Sequence, residues 1–145
     1  MNIFEYLRDD EAHIERRLKD ITAHGFSWPQ EQLFEESVRL FTAVTNHLEK
    51  KETILTRYLS SLDAEMEGTL RDATKHRYDI EAQIESLTQM HIDENDFVES
   101  MESLLRKVIN HRKFCEDHFY PQIEAHLSKA ERKIIDEKFE DLVFS

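Results

Sequence analysis

Four histidines could supply nitrogen ligands to a metal ion. His13, His47, His76 and His111 each fall in a different expected helix, about midway along it. With an advance of about 100° per residue, each lies toward the same edge of the apolar stripe of its helix. Side chains at matching depth on facing helices can converge, and imidazole nitrogen suits iron, zinc, copper or nickel. The pattern predicts a metal site with one histidine from each helix.

Two glutamates have the spacing to complete such a site. Glu52 follows His47 by five residues, and Glu116 follows His111 by five. Glu52 also lies on an apolar stripe, where an unpaired charge is costly unless a cation neutralises it. Histidines and carboxylates from four facing helices are the ligands expected of a di-iron carboxylate centre. The hypothesis is non-haem iron, two ions per chain, with His13, His47, Glu52, His76, His111 and Glu116 as ligands.

Long amphipathic helices must position these residues. They are expected over residues 2–24, 28–61, 64–91 and 95–127. Apolar residues recur in each at helical spacing, and in the second helix the stripe predicts that Phe34 and Val38 face the core. A capping box, Ser128 to Glu131, starts a short fifth helix. The prediction is an all-α fold, an up-down-up-down antiparallel four-helix bundle with a short C-terminal fifth helix.

One proline should interrupt this pattern near its end. Pro121 falls inside the last of the four long helices. Its ring removes a backbone hydrogen bond one turn back, so we expect the regular helix to kink or end there.

Composition limits the class of protein and its partners. A length of 145 residues fits one domain, residues 1–145, and two Gly with two Pro are too few for a many-stranded β fold. The 31 Asp and Glu against 19 Lys and Arg give a net charge of −12, which argues against nucleic acid and anionic membranes as partners. No apolar run is long enough to span a membrane, and the single Cys115 excludes an internal disulfide. Without a signal-like N-terminal segment, a cytoplasmic location is expected.

A series of motifs runs through nearly the whole chain. In order they are Asp9-Asp10 before a histidine, His47, His76, then His111, Phe119-Tyr120-Pro121 and Leu127-Ser128. In this order they resemble the hemerythrin, or HHE cation-binding, family. The resemblance implies a four-helix bundle with a non-haem di-iron centre that binds a diatomic ligand, O2 or NO, for carrying, sensing or storage. It implies the four histidines as ligands and Glu52 and Glu116 as bridging carboxylates.

Three positions depart from the pattern of that family. Bacterial members usually have His-x-x-x-Glu in the second and fourth helices, which places Lys51 and Cys115 where carboxylates are expected. Glu11 lies on the apolar stripe of the first helix and could take the place of the histidine there. A buried lysine could pair with Glu11, Glu52 or Glu116 and replace the metal charge, or its stem could carry the ammonium out to solvent.

Two other functions are alternatives to this one. The first is a metal-free hemerythrin-like bundle that acts as a structural or protein-interaction module, with Lys51 or Arg77 as the buried cation. The second is an enzyme, with a peroxidase-like or nitric-oxide-detoxifying activity of the same centre.

Overall fold

The regular structure of the chain is helical. The computed structural model describes residues 2–57, 59 and 63–144, and within them no strand forms. The helices are α1 (Ile3–His24), α2 (Gln30–Arg57), α3 (Ala64–Thr88), α4 (Asn95–Phe114), α5 (Tyr120–His126) and α6 (Lys129–Phe144). The predicted all-α class is confirmed. The predicted end of the second helix near residue 61 lies outside the described residues.

Side-chain caps fix where the first and last helices begin. The N–H of Glu5 donates to Asn2 Oδ1 at 2.9 Å, and the N–H of Asn2 donates back to the Glu5 carboxylate at 3.3 Å. At α6 the N–H of Glu131 donates to Ser128 Oγ at 3.1 Å, and the N–H of Ser128 donates to Glu131 Oε1 at 3.0 Å. Each pair satisfies two backbone donors that the helix itself leaves free. The predicted capping box at Ser128 is confirmed.

The chain changes its winding just before Pro121. Cys115–Phe119 form a π-helical segment between α4 and α5, in which the N–H of Tyr120 donates to the carbonyl of Cys115. Because Pro121 has no N–H, it cannot continue the α-helical bonding pattern. The predicted departure from regular helix is confirmed. In π-helical winding residues five apart share a face, and Cys115 and Tyr120 are both fully buried.

The apolar core divides into two clusters. The first core cluster contains Ile14, Leu18, Val44, Leu48, Ile80, Ile84, Met101 and Leu104 among its members. The second core cluster contains Phe4, Leu7, Ile54, Leu55, Ala73, Cys115, Phe119 and Ile123 among its members. The helix α1 packs against α2 and α4, and α3 packs against α4 and α2, while α6 lies against α1 and α2. None of the helices in the described ranges has the length and apolar character needed to cross a bilayer.

The inward face of α2 differs from the predicted one at its start. Phe34 and Val38 were expected in the core, but 57% and 44% of their surfaces are exposed. Leu33 and Leu40 are buried instead. Leu33 and Leu40 lie on the same face of α2 as Lys51, and this face packs against the neighbouring helices. Phe34 and Val38 lie one or two positions away from it. The expectation for Phe34 and Val38 was wrong.

A layer of polar side chains separates the two core clusters. We call it the polar layer and define it as Glu11, His47, Lys51, His76 and His111. All except His47 lie in sequence between a member of one cluster and a member of the other. Glu11, His47, Lys51 and His111 are buried, and His76 is half-buried. The long helices α1 to α4 therefore each bring at least one polar side chain to the same depth of the fold.

Candidate functional site

Lys51 occupies the centre of the polar layer. The residue is only 1% exposed. Its Nζ lies 2.8 Å from His111 Nε2, 3.3 Å from Glu11 Oε1 and 3.4 Å from Cys115 Sγ. An ammonium has three donors, and these three acceptors come from α4, α1 and the π segment. The buried cation is therefore hydrogen-bonded to three other parts of the fold and paired with one carboxylate.

Glu11 is the negative partner of Lys51. Its Oε1 accepts hydrogen bonds from Lys51 Nζ, from His47 Nε2 at 3.2 Å and from the hydroxyl of Tyr120. Its Oε2 has no hydrogen-bond partner among the described residues. Burial alone would raise the pKa of Glu11, but the hydrogen bond from His47 and the charge of Lys51 outweigh burial and lower that pKa. Glu11 is thus a carboxylate at neutral pH.

His47 bridges two carboxylates of α1. Its Nδ1 lies 2.7 Å from Asp10 Oδ2, and its Nε2 lies 3.2 Å from Glu11 Oε1. Each ring nitrogen of His47 is therefore within hydrogen-bond distance of a carboxylate oxygen, which occupies the position that a metal ion would have to take.

The remaining two histidines form a directed chain of hydrogen bonds. Lys51 can only donate, so His111 Nε2 accepts and the ring proton of His111 is on Nδ1. That Nδ1 lies 3.2 Å from His76 Nδ1, which must then be the acceptor. His76 and His111 line a cleft between α3 and α4 together with Asp79, Lys107 and Asn110. This series of hydrogen bonds therefore runs from the buried Lys51 through His111 to the half-buried His76, which lines the cleft.

Four groups near the Lys51–Glu11 pair are uncharged at neutral pH. Burial lowers the pKa of His111 well below its ordinary value of 6.5, and the Lys51 charge lowers that pKa further. Burial also lowers the pKa of His76. Burial raises the pKa of the Cys115 thiol to about 11 and raises the pKa of the Tyr120 hydroxyl. The ion pair thus contacts uncharged imidazole, thiol and phenol groups.

A small cavity adjoins the polar layer. Its volume is about 20 Å³, which is room for one water-sized molecule. Its lining combines apolar residues of all four long helices with polar residues of the layer: Glu11, Ile14, Val44, His47, Leu48, Lys51, Ile80, Val108, His111 and Arg112. A small ligand in this cavity would contact Lys51 on one side and aliphatic side chains on the other.

The two predicted bridging carboxylates pair with arginines. Glu52 Oε2 lies 3.2 Å from Arg77 Nε, and Glu116 Oε1 lies 3.2 Å from Arg8 Nε. Burial raises the pKa of Glu52, although the charge of Arg77 opposes this. Each glutamate is therefore neutralised by an arginine of another helix.

The histidine predicted from the first helix does not join the polar layer. His13 lies on the exposed side of α1. Glu11, two residues earlier, takes the inward position, which the sequence had left as the alternative. Of the six predicted ligands, the structure brings His76 and His111 into contact and places His47 in the same layer.

These contacts do not fit a di-iron centre. The lone pair of His111 Nε2 is used by Lys51, and the nitrogens of His47 face two carboxylates. Glu52 and Glu116 are engaged by arginines. Within residues 2–57, 59 and 63–144, no three His, Cys, Asp or Glu side chains are placed to share a metal ion. The layer instead has an organic cation at its centre.

Sequence reasoning missed Tyr120 as a member of this site. Cys115 and Tyr120 are five residues apart, which in an α-helix places them about 140° apart around the axis. Only the π segment brings both to the polar layer. The signal available in the sequence was Pro121, which indicates a departure from regular α-helix but does not predict a π-helical segment.

Comparison of the chain with models of known protein families, with curated proteins and with solved structures finds no match. What the site can do therefore follows from its own contacts. The Lys51–Glu11 ion pair, with its hydrogen bonds to His111 and Tyr120, ties α1, α2, α4 and α5 together.

We expect the folded chain to lose stability as the pH falls below about 6.5. The pKa of His111 is lower in the folded than in the unfolded chain, so the unfolded chain binds more protons in this range, and stability declines by up to about 1.4 kcal/mol per pH unit. Glu11, whose pKa is also lowered, adds a further loss below about pH 4.5. Urea unfolding at a series of pH values measures both losses.

The variant His111→Gln is the control for this pH dependence. Glutamine keeps a hydrogen-bond acceptor near Lys51 but does not titrate. The decline that begins near pH 6.5 should become shallower in this variant, while the decline below about pH 4.5 should persist. Equal slopes near pH 6.5 in both proteins would contradict the role given to His111.

Proposed function

We propose that this chain is a hemerythrin-like helical bundle that works without a metal, as a structural or protein-interaction module. The observation that carries the proposal is the position of Lys51 Nζ, 2.8 Å from His111 Nε2 and 3.3 Å from Glu11 Oε1. In a histidine and carboxylate metal centre such atoms bind the metal. Here they accept hydrogen bonds from an ammonium, which supplies the positive charge of the layer.

The order in which the helices meet the two core clusters supports an up-down-up-down arrangement. The helices α1 and α3 run from the second core cluster to the first. The helix α2 runs from the first to the second, and so does α4 with the π segment. Helices that are neighbours in sequence would then cross the polar layer in opposite directions, as in an antiparallel bundle.

The contacts within the polar layer agree with an interaction role. The polar atoms of Lys51 and His111 form hydrogen bonds with each other or with other residues of the chain. The surface carries the charge, with a net value of −12. A chain this acidic favours a protein partner with a basic surface over nucleic acid or an anionic membrane.

The cavity beside the layer favours a second candidate, a di-iron protein that binds O2 or NO. Its volume of about 20 Å³ and its aliphatic lining suit a diatomic ligand. This function requires Lys51 to leave the layer and His13, Glu52 and Glu116 to turn inward. Iron content separates the two candidates.

Anaerobic loading with Fe(II) should leave the chain without bound iron. After desalting we expect no stoichiometric iron and, after oxidation, no oxo-to-ferric charge-transfer absorption. A chelator should leave the melting temperature unchanged, whereas losing a metal present at a hundredfold excess over its Kd would remove about 2.7 kcal/mol of stability. About two irons per chain, lost together with stability on chelation, would overturn the proposal and support the di-iron candidate.

A further inference from the structure

An open groove lies on the surface at the start of α2. We call it the α2 groove and define it as Gln30, Glu31, Phe34 and residues 88–92. Its volume of about 530 Å³ is typical of clefts that bind a ligand. Met90 and Ile92 pack against the first core cluster, so the apolar part of the groove is continuous with the core.

The helix α2 carries apolar side chains on a second face beside this groove. Phe34 is 57% exposed, and Val38, one turn further along the same side, is 44% exposed. The inward face of α2 is already filled by Leu33 and Leu40. Phe34 and Val38 thus add little to the core, and adjacent exposed apolar groups with a polar rim mark surfaces where proteins bind each other.

The negative charge of the chain is concentrated around the α2 groove. Residues 20–38 and 78–105 contain 12 Asp and Glu and no Lys or Arg, so they account for the whole net charge of −12. These two segments include every residue of the groove. Glu31 lines the groove, Glu35 follows Phe34 directly, and both glutamates are exposed. The apolar groove therefore has an acidic rim.

Few of these carboxylates are neutralised within the chain. Among the described residues, only Glu36 and Asp79 of the two segments pair with a lysine or arginine. Arg39 and Arg17 place a guanidinium nitrogen 3.4 Å and 3.9 Å from Glu36. Lys107 Nζ lies 3.1 Å from Asp79. The glutamates that border the groove thus keep their charge for the cations of a partner.

We propose that the α2 groove binds a basic amphipathic segment of another protein. Apolar side chains of that segment would contact Phe34, Met90 and Ile92, and its lysines and arginines would contact the acidic rim. The proposal rests on the proposed function and deepens it, because it locates the surface of the interaction module. A second copy of this chain fits the groove less well, since it would bring the same negative charge to the interface.

Binding of a synthetic peptide tests the proposal. The probe is a fluorescein-labelled helix of leucine and lysine with the leucines along one face. Fluorescence anisotropy should show saturable binding of one peptide per chain, weaker at higher salt because exposed charges are screened. Two control peptides, one with glutamate for each lysine and one with glutamine for each leucine, should not bind at the same concentrations.

The variant Phe34→Ala tests the apolar part of the groove. It should lower the affinity for the probe by at least about tenfold, as expected for an aromatic side chain at the centre of an interface. The matched control is Tyr78→Ala, because Tyr78 is 60% exposed but lies outside the groove. Equal affinities of the two variants, both folded by circular dichroism, would overturn the proposal.

The double variant Glu31→Gln/Glu35→Gln tests the acidic rim. It should lower the affinity by about three- to tenfold and reduce its salt dependence. The control Glu137→Gln/Glu140→Gln removes two exposed charges from α6 and should leave the affinity nearly unchanged. An equal loss in both would mean that net charge alone attracts the probe, and it would overturn the proposal.

The outcomes separate this proposal from the proposed function. An unmodified chain that does not bind the probe would overturn the groove and leave the metal-free polar layer unaffected. Self-association that Phe34→Ala abolishes, seen by sedimentation equilibrium, would make a second copy the occupant and overturn the basic partner. Stoichiometric iron in a chain that still binds the probe through Phe34 would overturn the metal-free layer and support the groove.

Discussion

Replacing Lys51 with methionine should destabilise the folded chain by about 3–5 kcal/mol. Methionine is unbranched and fills much of the same space, so the substitution mainly removes the charge and the three donors. It leaves the Glu11 carboxylate buried without its cation and leaves His111 Nε2 without a donor. Breaking a buried pair from one side costs more than the pair contributes, because the remaining charge is already removed from water.

Urea unfolding followed by circular dichroism at neutral pH measures this change. The matched control is Lys50→Met, at an exposed position one residue away. It should change the free energy of unfolding by no more than about 0.5 kcal/mol. A loss in Lys51→Met no greater than that in Lys50→Met would show that the ammonium is not the buried partner of Glu11.

Replacing Glu11 with glutamine should cost a similar amount, about 3–5 kcal/mol. Lys51, His47 and Tyr120 all donate to Glu11 Oε1. Glutamine keeps the shape and one carbonyl oxygen but removes the only negative charge that contacts the buried ammonium among the described residues. The exposed Asp9 provides the control, since Asp9→Asn makes the same change on the same helix and should be nearly neutral.

The double variant Lys51→Met/Glu11→Gln tests whether the two residues act as a pair. With both charges gone no ion is stranded, so the loss should fall short of the sum of the single losses by about 1–3 kcal/mol. Unfolding curves of the four proteins give this coupling energy directly. Losses that simply add would mean that Lys51 and Glu11 are stabilised by other groups.

Much of the polar layer could be predicted from the sequence. Leu7, Glu11 and Ile14 are spaced by four and three residues, so they share one face of a helix. His13 lies about 200° from Glu11 around the same helix and cannot face inward with it. Their positions about midway along the helices predicted one depth for His13, His47, His76 and His111, and the structure places all but His13 in the polar layer.

The choice between Lys51 and Glu52 could not be made from periodicity. Adjacent positions differ by about 100°, and the pattern places Glu52 on the apolar stripe of α2 with Lys51 near its edge, so either could face inward. The outcome depends on partners distant in sequence. Glu11 and His111 receive Lys51, while Arg77 pairs with Glu52. Such pairings depend on how the helices pack against each other, and the periodicity of one helix does not predict that packing.

The π segment before α5 lets the helix hold one residue more than α-helical winding would. If one residue at the outward positions Asp117 or His118 were deleted, ordinary α-helical winding could return. Cys115 and Tyr120 would then be four residues apart, a spacing that keeps both on one face of an α-helix. The hydroxyl of Tyr120 would still point toward Glu11, and Ile123 would stay in the second core cluster. The number of residues in this stretch can therefore change by one without turning the inward side chains away.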